Sequence, residues 1–129
     1  MDLLKRRALL DTQSNPDTGH DYVVTLSGSV AGLRTTTVTL RYVPDRSILT
    51  PSSLEGYLKT IGELNWSGLE EAAAAIRDDL NNEIVPRWLQ VSLRASVNAQ
   101  GSVQRHDILL EDRQPKWDNP SLLSRLKLY

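Results

Sequence analysis

Residues 35–43 alternate strictly: Val38, Leu40 and Tyr42 fall on one side of an extended chain, Thr35, Thr37, Thr39 and Arg41 on the other. That is the pattern of a strand with one wet face. Residues 21–30 are rich in Val, Thr and Tyr and set Tyr22, Val24 and Leu26 on a common side, which predicts a preceding strand. Ala31-Gly32-Leu33 supplies the turn of a hairpin. Leu54, Tyr57, Leu58 and Ile61 then recur at steps of three and four, predicting a short helix capped by Ser52 or Ser53 and ended near Glu63 with help from Gly62. Ser67 opens a second helix with a capping-box spacing to Glu70, followed by the stripe Leu69, Ala72, Ala73, Ile76 and Leu80. After Pro86, residues 88–97 set Leu89, Val91, Leu93, Ala95 and Val97 against Trp88, Gln90, Ser92 and Arg94. Turn chemistry at Asn98-Ala99-Gln100-Gly101 leads into a last strand over 102–112 with Val103, Ile108, Leu109 and Leu110. The predicted order is strand, strand, helix, helix, strand, strand, an α+β domain.

Length and charge narrow the class. At 129 residues the chain fits one domain. Residues 1–20 form an N-terminal arm, and 114–129 a tail whose Trp117, Leu122, Leu123, Leu126 and Leu128 are too apolar to float free. Either terminus is a candidate for docking on the core or on a neighbouring subunit. Fifteen Lys plus Arg nearly cancel 16 Asp plus Glu without a basic cluster, which argues against nucleic acid. No apolar run reaches the roughly 20 residues of a membrane span. Lys5, Arg6 and Arg7 interrupt the place of a signal peptide's apolar stretch, so the expected compartment is the cytoplasm. Zero cysteines and two histidines argue against disulfides, thiolate chemistry and a soft-metal site.

Residues 42–58 resemble the signature segment of the nitrile reductases of queuosine biosynthesis, Y-x-P-D-(x)-E-S-K-S-L-K-x-Y-L. Tyr42, Pro44, Asp45, Ser53, Leu54, Tyr57 and Leu58 are kept. Asn15-Pro16 with Asp21-Tyr22-Val23 is similar to the family's opening N-P-x-x-x-x-D-Y, and Pro86-Arg87-Trp88-Leu89-Gln90-Val91 to its later P-x-W-L-x-V strand. The resemblance implies a tunnelling fold: a ββααββ unit, its two helices on one face of a four-stranded antiparallel sheet, assembling edge to edge into an oligomeric barrel. A sheet with two open edges gives association a physical reason as well. The implied partner is the chain itself.

The departures bear on chemistry. Thr50, a candidate substrate-binding residue, stands where the family has its glutamate, and Ser52 and Glu55 where it has lysines resembling a site for the phosphates of NADPH. Two lost charge-assisted bonds, at about 1.5–3 kcal/mol each, remove roughly two to four decades of affinity. No cofactor is expected. The family's cysteine segment is either deleted, leaving the turn near 30–34, or replaced by residues 15–21, with Asn15 for the cysteine and Asp21 keeping the proton-donating acid. Neither alignment supplies the thiolate that attacks a nitrile.

Tunnelling-fold enzymes hold a purine or pterin through a glutamate that accepts hydrogen bonds from adjacent ring N–H groups. In the reductases that glutamate follows a histidine near the start of the second helix, where this chain has Leu69-Glu70. Glu70 is thus a candidate ligand anchor and equally a candidate helix cap, with Glu71 its alternate if the register slips. His106-Asp107 could be an acid/base pair, although neighbours on a strand face opposite ways. His20 sits in a Gly-and-Asp turn and gains interest only beside Glu70. Arg94 could contact an anionic ligand from its strand's polar face, and Trp66 or Trp117 could cover a ring system. The expected function is binding of a purine- or pterin-like metabolite at an intersubunit pocket, with non-redox acid/base chemistry if catalytic. The alternative is a non-catalytic scaffold or ligand-binding protein.

Overall fold

A computed structural model describes residues 2–33, 35–96 and 101–126. Along the chain run α1 (Leu3–Arg7), β1 (Thr12–Ser14), β2 (Val24–Val30), β3 (Thr36–Val43), β4 (Ser47–Leu49), α2 (Pro51–Glu63), α3 (Leu69–Ile84), β5 (Trp88–Ser96), β6 (Arg105–Arg113) and α4 (Pro120–Leu123). Four strands form an antiparallel sheet in the order β2-β3-β5-β6, and β1 pairs with β4 in a two-stranded ribbon beside it. The protein is α+β, as its patterns predict.

Directly opposed residues share a face of the sheet. One face therefore carries the rows Leu26-Leu40-Val91-Leu110 and Gly28-Val38-Leu93-Ile108. Against it pack Leu54, Tyr57, Leu58 and Ile61 of α2 and Leu69, Ala73, Ile76, Leu80 and Ile84 of α3, in one apolar cluster. Helix α3 runs along β6. Glu70 meets His106 at one end, and Asn81 Nδ2 donates to Asp112 Oδ2 (2.8 Å) at the other. Eleven helical residues rise about 17 Å, close to the roughly 20 Å of six strand residues.

Several boundaries differ from the sequence expectation. Strand β2 begins at Val24 rather than residue 21 because its partner β3 ends before Pro44, which has no N–H to donate. Thr35 leaves the strand with φ 51°, belonging instead to the turn. The caps move too. Thr50 precedes α2, with Pro51 at its first position and no side-chain cap bond, while Ser53 Oγ donates to Thr50 O and accepts from Asp11 N. Gly62 lies inside α2 with the hairpin turn close against it: a Cβ on Gly62 would stand 2.9 Å from Val30 Cγ1 and 3.1 Å from Gly32 N, and one on Gly32 would stand 1.6 Å from Gly62 O. Strand β6 starts at Arg105, and Val97 and Asn98-Ala99-Gln100 lie outside the described residues. Trp88 and Ser92, assigned to a polar face, are buried, as befits a strand inside the sheet.

Both terminal segments fold back on the chain. Arg6 and Arg7 of α1 reach Asp79 on α3. After β6, Gln114 Nε2 bonds Asp45 and Val85 O, and Trp117 Nε1 and Asn119 Nδ2 both donate to Asp21.

Candidate functional site

At one end of the sheet the start of α3 stands off the β2–β3 turn and the paired residues Ala95 and His106, leaving a cleft of about 450 Å³. Gly32, Gly68 and Ala95 contribute little side-chain volume, which is why the cleft exists. Trp66 and Leu33 add apolar wall, and Ser67, Glu70 and His106 add polar groups. His106 Nε2 lies 3.0 Å from Glu70 Oε1, and the two side chains keep 43% and 69% of their exposure. Both are open to a ligand.

Glu70 owes its position to α3's first turn, where acidic residues suit the helix dipole. The capping box predicted from Ser67 does not form. Gly68 is the N-cap, with no side-chain bond, and Ser67 Oγ donates instead to Glu71 Oε2 (2.6 Å), one position beyond the expected partner. Glu70 is free of the capping role and faces an imidazole. His106 lies in the row Val30-Thr36-Ala95-His106 on the helix side. Asp107 points the other way, as strand geometry requires, and pairs with Arg105 (2.7 Å) and Arg94 (3.8 Å). The histidine's acidic partner therefore comes from α3. This arrangement offers a carboxylate that can accept two N–H groups, an imidazole that can donate to a carbonyl or move a proton, and an indole surface.

The other candidates lie elsewhere. Arg94 is on the sheet's opposite face. Thr50 is at the start of α2, its Oγ1 accepting from Gln13 Nε2 (3.5 Å). His20 is exposed and bonds Asp17 (2.9 Å). Asp21 stands by the Val24-Tyr42 end of the sheet, about 20 Å along β3 from the cleft row at Thr36. Neither is brought to Glu70 within the chain. Asp21 is instead a tether, Oδ1 accepting from Arg87 (2.9 Å) and Oδ2 from Trp117 and Asn119. Burial pushes its carboxyl up, but the bonds from Asn119, Arg87 and Trp117 outweigh that and hold it below the usual range. It is poorly set to donate a proton near neutrality.

The segments that carry the resemblance converge on this tether. Tyr22 donates to Asn15 Oδ1 (2.6 Å), Asn15 donates to Asp45 O (2.7 Å), and Arg87 reaches Asp21, Asp45 and Thr18 O. Tyr42 Oη accepts from Leu49 N (2.9 Å). Their work here is architectural. The segment that resembles a dinucleotide-phosphate site forms a groove of Ser29, Ala31, Ser52, Glu55, Gly56 and Lys59. Its one lysine is four residues from Glu55 on the same helix, so the groove has no surplus positive charge and does not fit a phosphate group. Among the described residues no group of three or more His, Asp or Glu side chains is placed to hold a metal ion, and no helix is long and apolar enough to cross a membrane.

Sequence reasoning missed a second polar cluster. Asp79, on α3's buried stripe, is fully buried, and its two oxygens accept from Arg6 Nε and Nη2 (2.7 and 2.8 Å), Arg7 Nε (2.9 Å) and Tyr57 Oη (2.5 Å). A carboxylate at a helical step from Ile76 was the available signal.

No protein-family profile matches the chain. Over 93 residues it is 36% identical to the NADPH-dependent 7-cyano-7-deazaguanine reductases of two strains of Acidithiobacillus ferrooxidans, covering 67% of this chain and 59% of each relative. Fold pattern and site define an α+β protein with a carboxylate–imidazole cleft at a sheet end. The chain is a relative of the nitrile reductases, one without a cysteine. It spans 59% of the length of the curated relatives it matches.

Proposed function

We propose that the chain is a cytoplasmic tunnelling-fold protein whose cleft binds a purine- or pterin-like heterocycle, with Glu70 accepting ring N–H groups, His106 facing it and Trp66 stacking on the ring. The observation that carries this reading is the Glu70–His106 contact of 3.0 Å across a cleft that also contains Trp66. The free edges of β2 and β6 join copies into a barrel, which completes the pocket between subunits. The relatives' activity as 7-cyano-7-deazaguanine reductases supports a role in queuosine-related biosynthesis. Any chemistry is non-redox acid/base catalysis by Glu70 and His106, because reduction of a nitrile through a thioimide requires a thiolate that this sequence lacks. A second reading, a ligand-binding scaffold without catalysis, draws support from the architectural use of Asn15, Asp21, Asp45 and Arg87.

A thermal-shift panel of purines, pterins and related heterocycles tests the binding reading on wild type and Glu70→Gln. Stabilisation by at least one compound, lost in the variant, is expected. Stabilisation by none sinks the heterocycle pocket and leaves the scaffold. Oxidation of NADPH in the presence of a deazapurine nitrile would refute the non-redox assignment.

A further inference from the structure

The N-terminal arm reaches a wall of the cleft, Trp66, through Arg6. Arg6 binds Asp79 with two nitrogens, Nε to Oδ2 and Nη2 to Oδ1, so the plane of its guanidinium is set by a fully buried carboxylate. That guanidinium also lies over the Trp66 ring, its Cζ 5.8 Å from the centroid, within cation–π range. At its edge, Trp66 Nε1 donates to Ile61 O at 2.8 Å. The half-buried ring is thus held at edge and face. Trp66 lies in the connection between α2 and α3, two residues before Gly68, the N-cap of α3, and forms a wall of the Glu70 cleft. Core packing and the hydrogen bond hold one side of the indole; the cation is what holds the face turned to Arg6.

We propose that Arg6 is a positioning residue of the cleft: locked by Asp79, it orients Trp66, so that the N-terminal arm is a working part of the ligand site. The orientation of Trp66 stands on the contacts themselves; its effect on ligand affinity rests on the heterocycle reading. Arg7 separates positioning from simple docking of the arm. It binds the same carboxylate through Nε, whereas the cation over Trp66 is Arg6.

The test uses the whole chain with ¹⁵N-labelled indoles. Three tryptophans give three indole signals, and Trp66→Phe identifies one. In Arg6→Ala the Trp66 signal should shift and exchange faster with water, while those of Trp88 and Trp117 stay in place. Arg7→Ala should leave the Trp66 signal as in wild type. Arg6→Lys, which keeps a charge for Asp79 but not the planar fork, should also move it and decides the matter if Arg6→Ala does not fold. An unmoved Trp66 signal in whichever Arg6 variant folds, or an equal response in Arg7→Ala, overturns the proposal. With pterin as the probe, Arg6→Ala should bind about 3- to 30-fold more weakly, the range of a partly buried cation–π contact. If pterin fails to bind wild type while the indole signals behave as described, the heterocycle reading loses support and Arg6 still positions Trp66.

Discussion

Asp79 lies on the buried stripe of α3 with Ile76 and Leu80, where an unpaired carboxylate would cost several kcal/mol. Four donors make the position tolerable. Burial pushes the Asp79 carboxyl up, yet the bonds from Arg6, Tyr57 and Arg7 outweigh it and hold the group below its ordinary value. Tyr57 is pushed strongly upward by burial and by Asp79, so it remains a donor. Asp79→Ala should cost about 3–5 kcal/mol, the penalty of leaving buried partners unmatched, read from urea unfolding. The pH dependence follows from the sign of the shift. A carboxyl whose folded pKa is depressed adds stability that is complete above its unfolded value, 3.8, and disappears as pH falls through the folded one. Wild-type urea midpoints should therefore drop steeply below about pH 4; Asp79→Asn should start lower at pH 7 and drop less. Asp21, held low in the same direction, keeps part of the slope in the variant. Glu70 was readable as a candidate anchor from resemblance and His106 as a candidate acid/base residue; that the two face each other was not, since nothing local reveals which helix covers the last strand.

The faces of α2 and α3 were legible because each has one buried side, and Leu54, Tyr57, Leu58 and Ile61 are buried as their spacing predicts; on β3 the apolar row Val38, Leu40 and Tyr42 is buried as expected, but so are Thr39 and Val43 of the opposite face. Caps were less legible. Three residues before the helices, Thr50, Ser67 and Gly68, compete for the capping role, and Pro51 and backbone geometry decide it. Trp88 was misassigned because alternation reports polarity, whereas burial on both faces of β5 comes from its place inside the sheet. Two glycines make the packing of α2 testable. Gly32→Ala would drive a Cβ into the backbone of Gly62, and should destabilise by about 1–3 kcal/mol or more. Gly56, exposed within α2 with nothing within 4 Å of a built Cβ, should respond oppositely: Gly56→Ala should add about 0.5–1 kcal/mol by helix propensity. Parallel urea titrations at constant m-value check both.

At the scale of the whole molecule, β2 and β6 are the unpaired margins of the sheet among the described residues, and Leu109 on β6 is 53% exposed. If copies join at these margins, sedimentation velocity should give a mass that is a multiple of 14.5 kDa, and Leu109→Lys should lower it; a 14.5 kDa wild-type species would remove the barrel from the proposed function. The sheet order β2-β3-β5-β6 also has a temporal meaning. Its outer pairs are hairpins whose strands follow one another closely, whereas β3 and β5 meet across both helices, Leu40 opposite Val91 with about 50 residues between. Closing that long loop costs entropy before any contact rewards it. The central seam should set the folding rate: Val91→Ala should chiefly slow refolding, while Ile108→Val near the margin should chiefly hasten unfolding, a difference that stopped-flow chevrons would resolve.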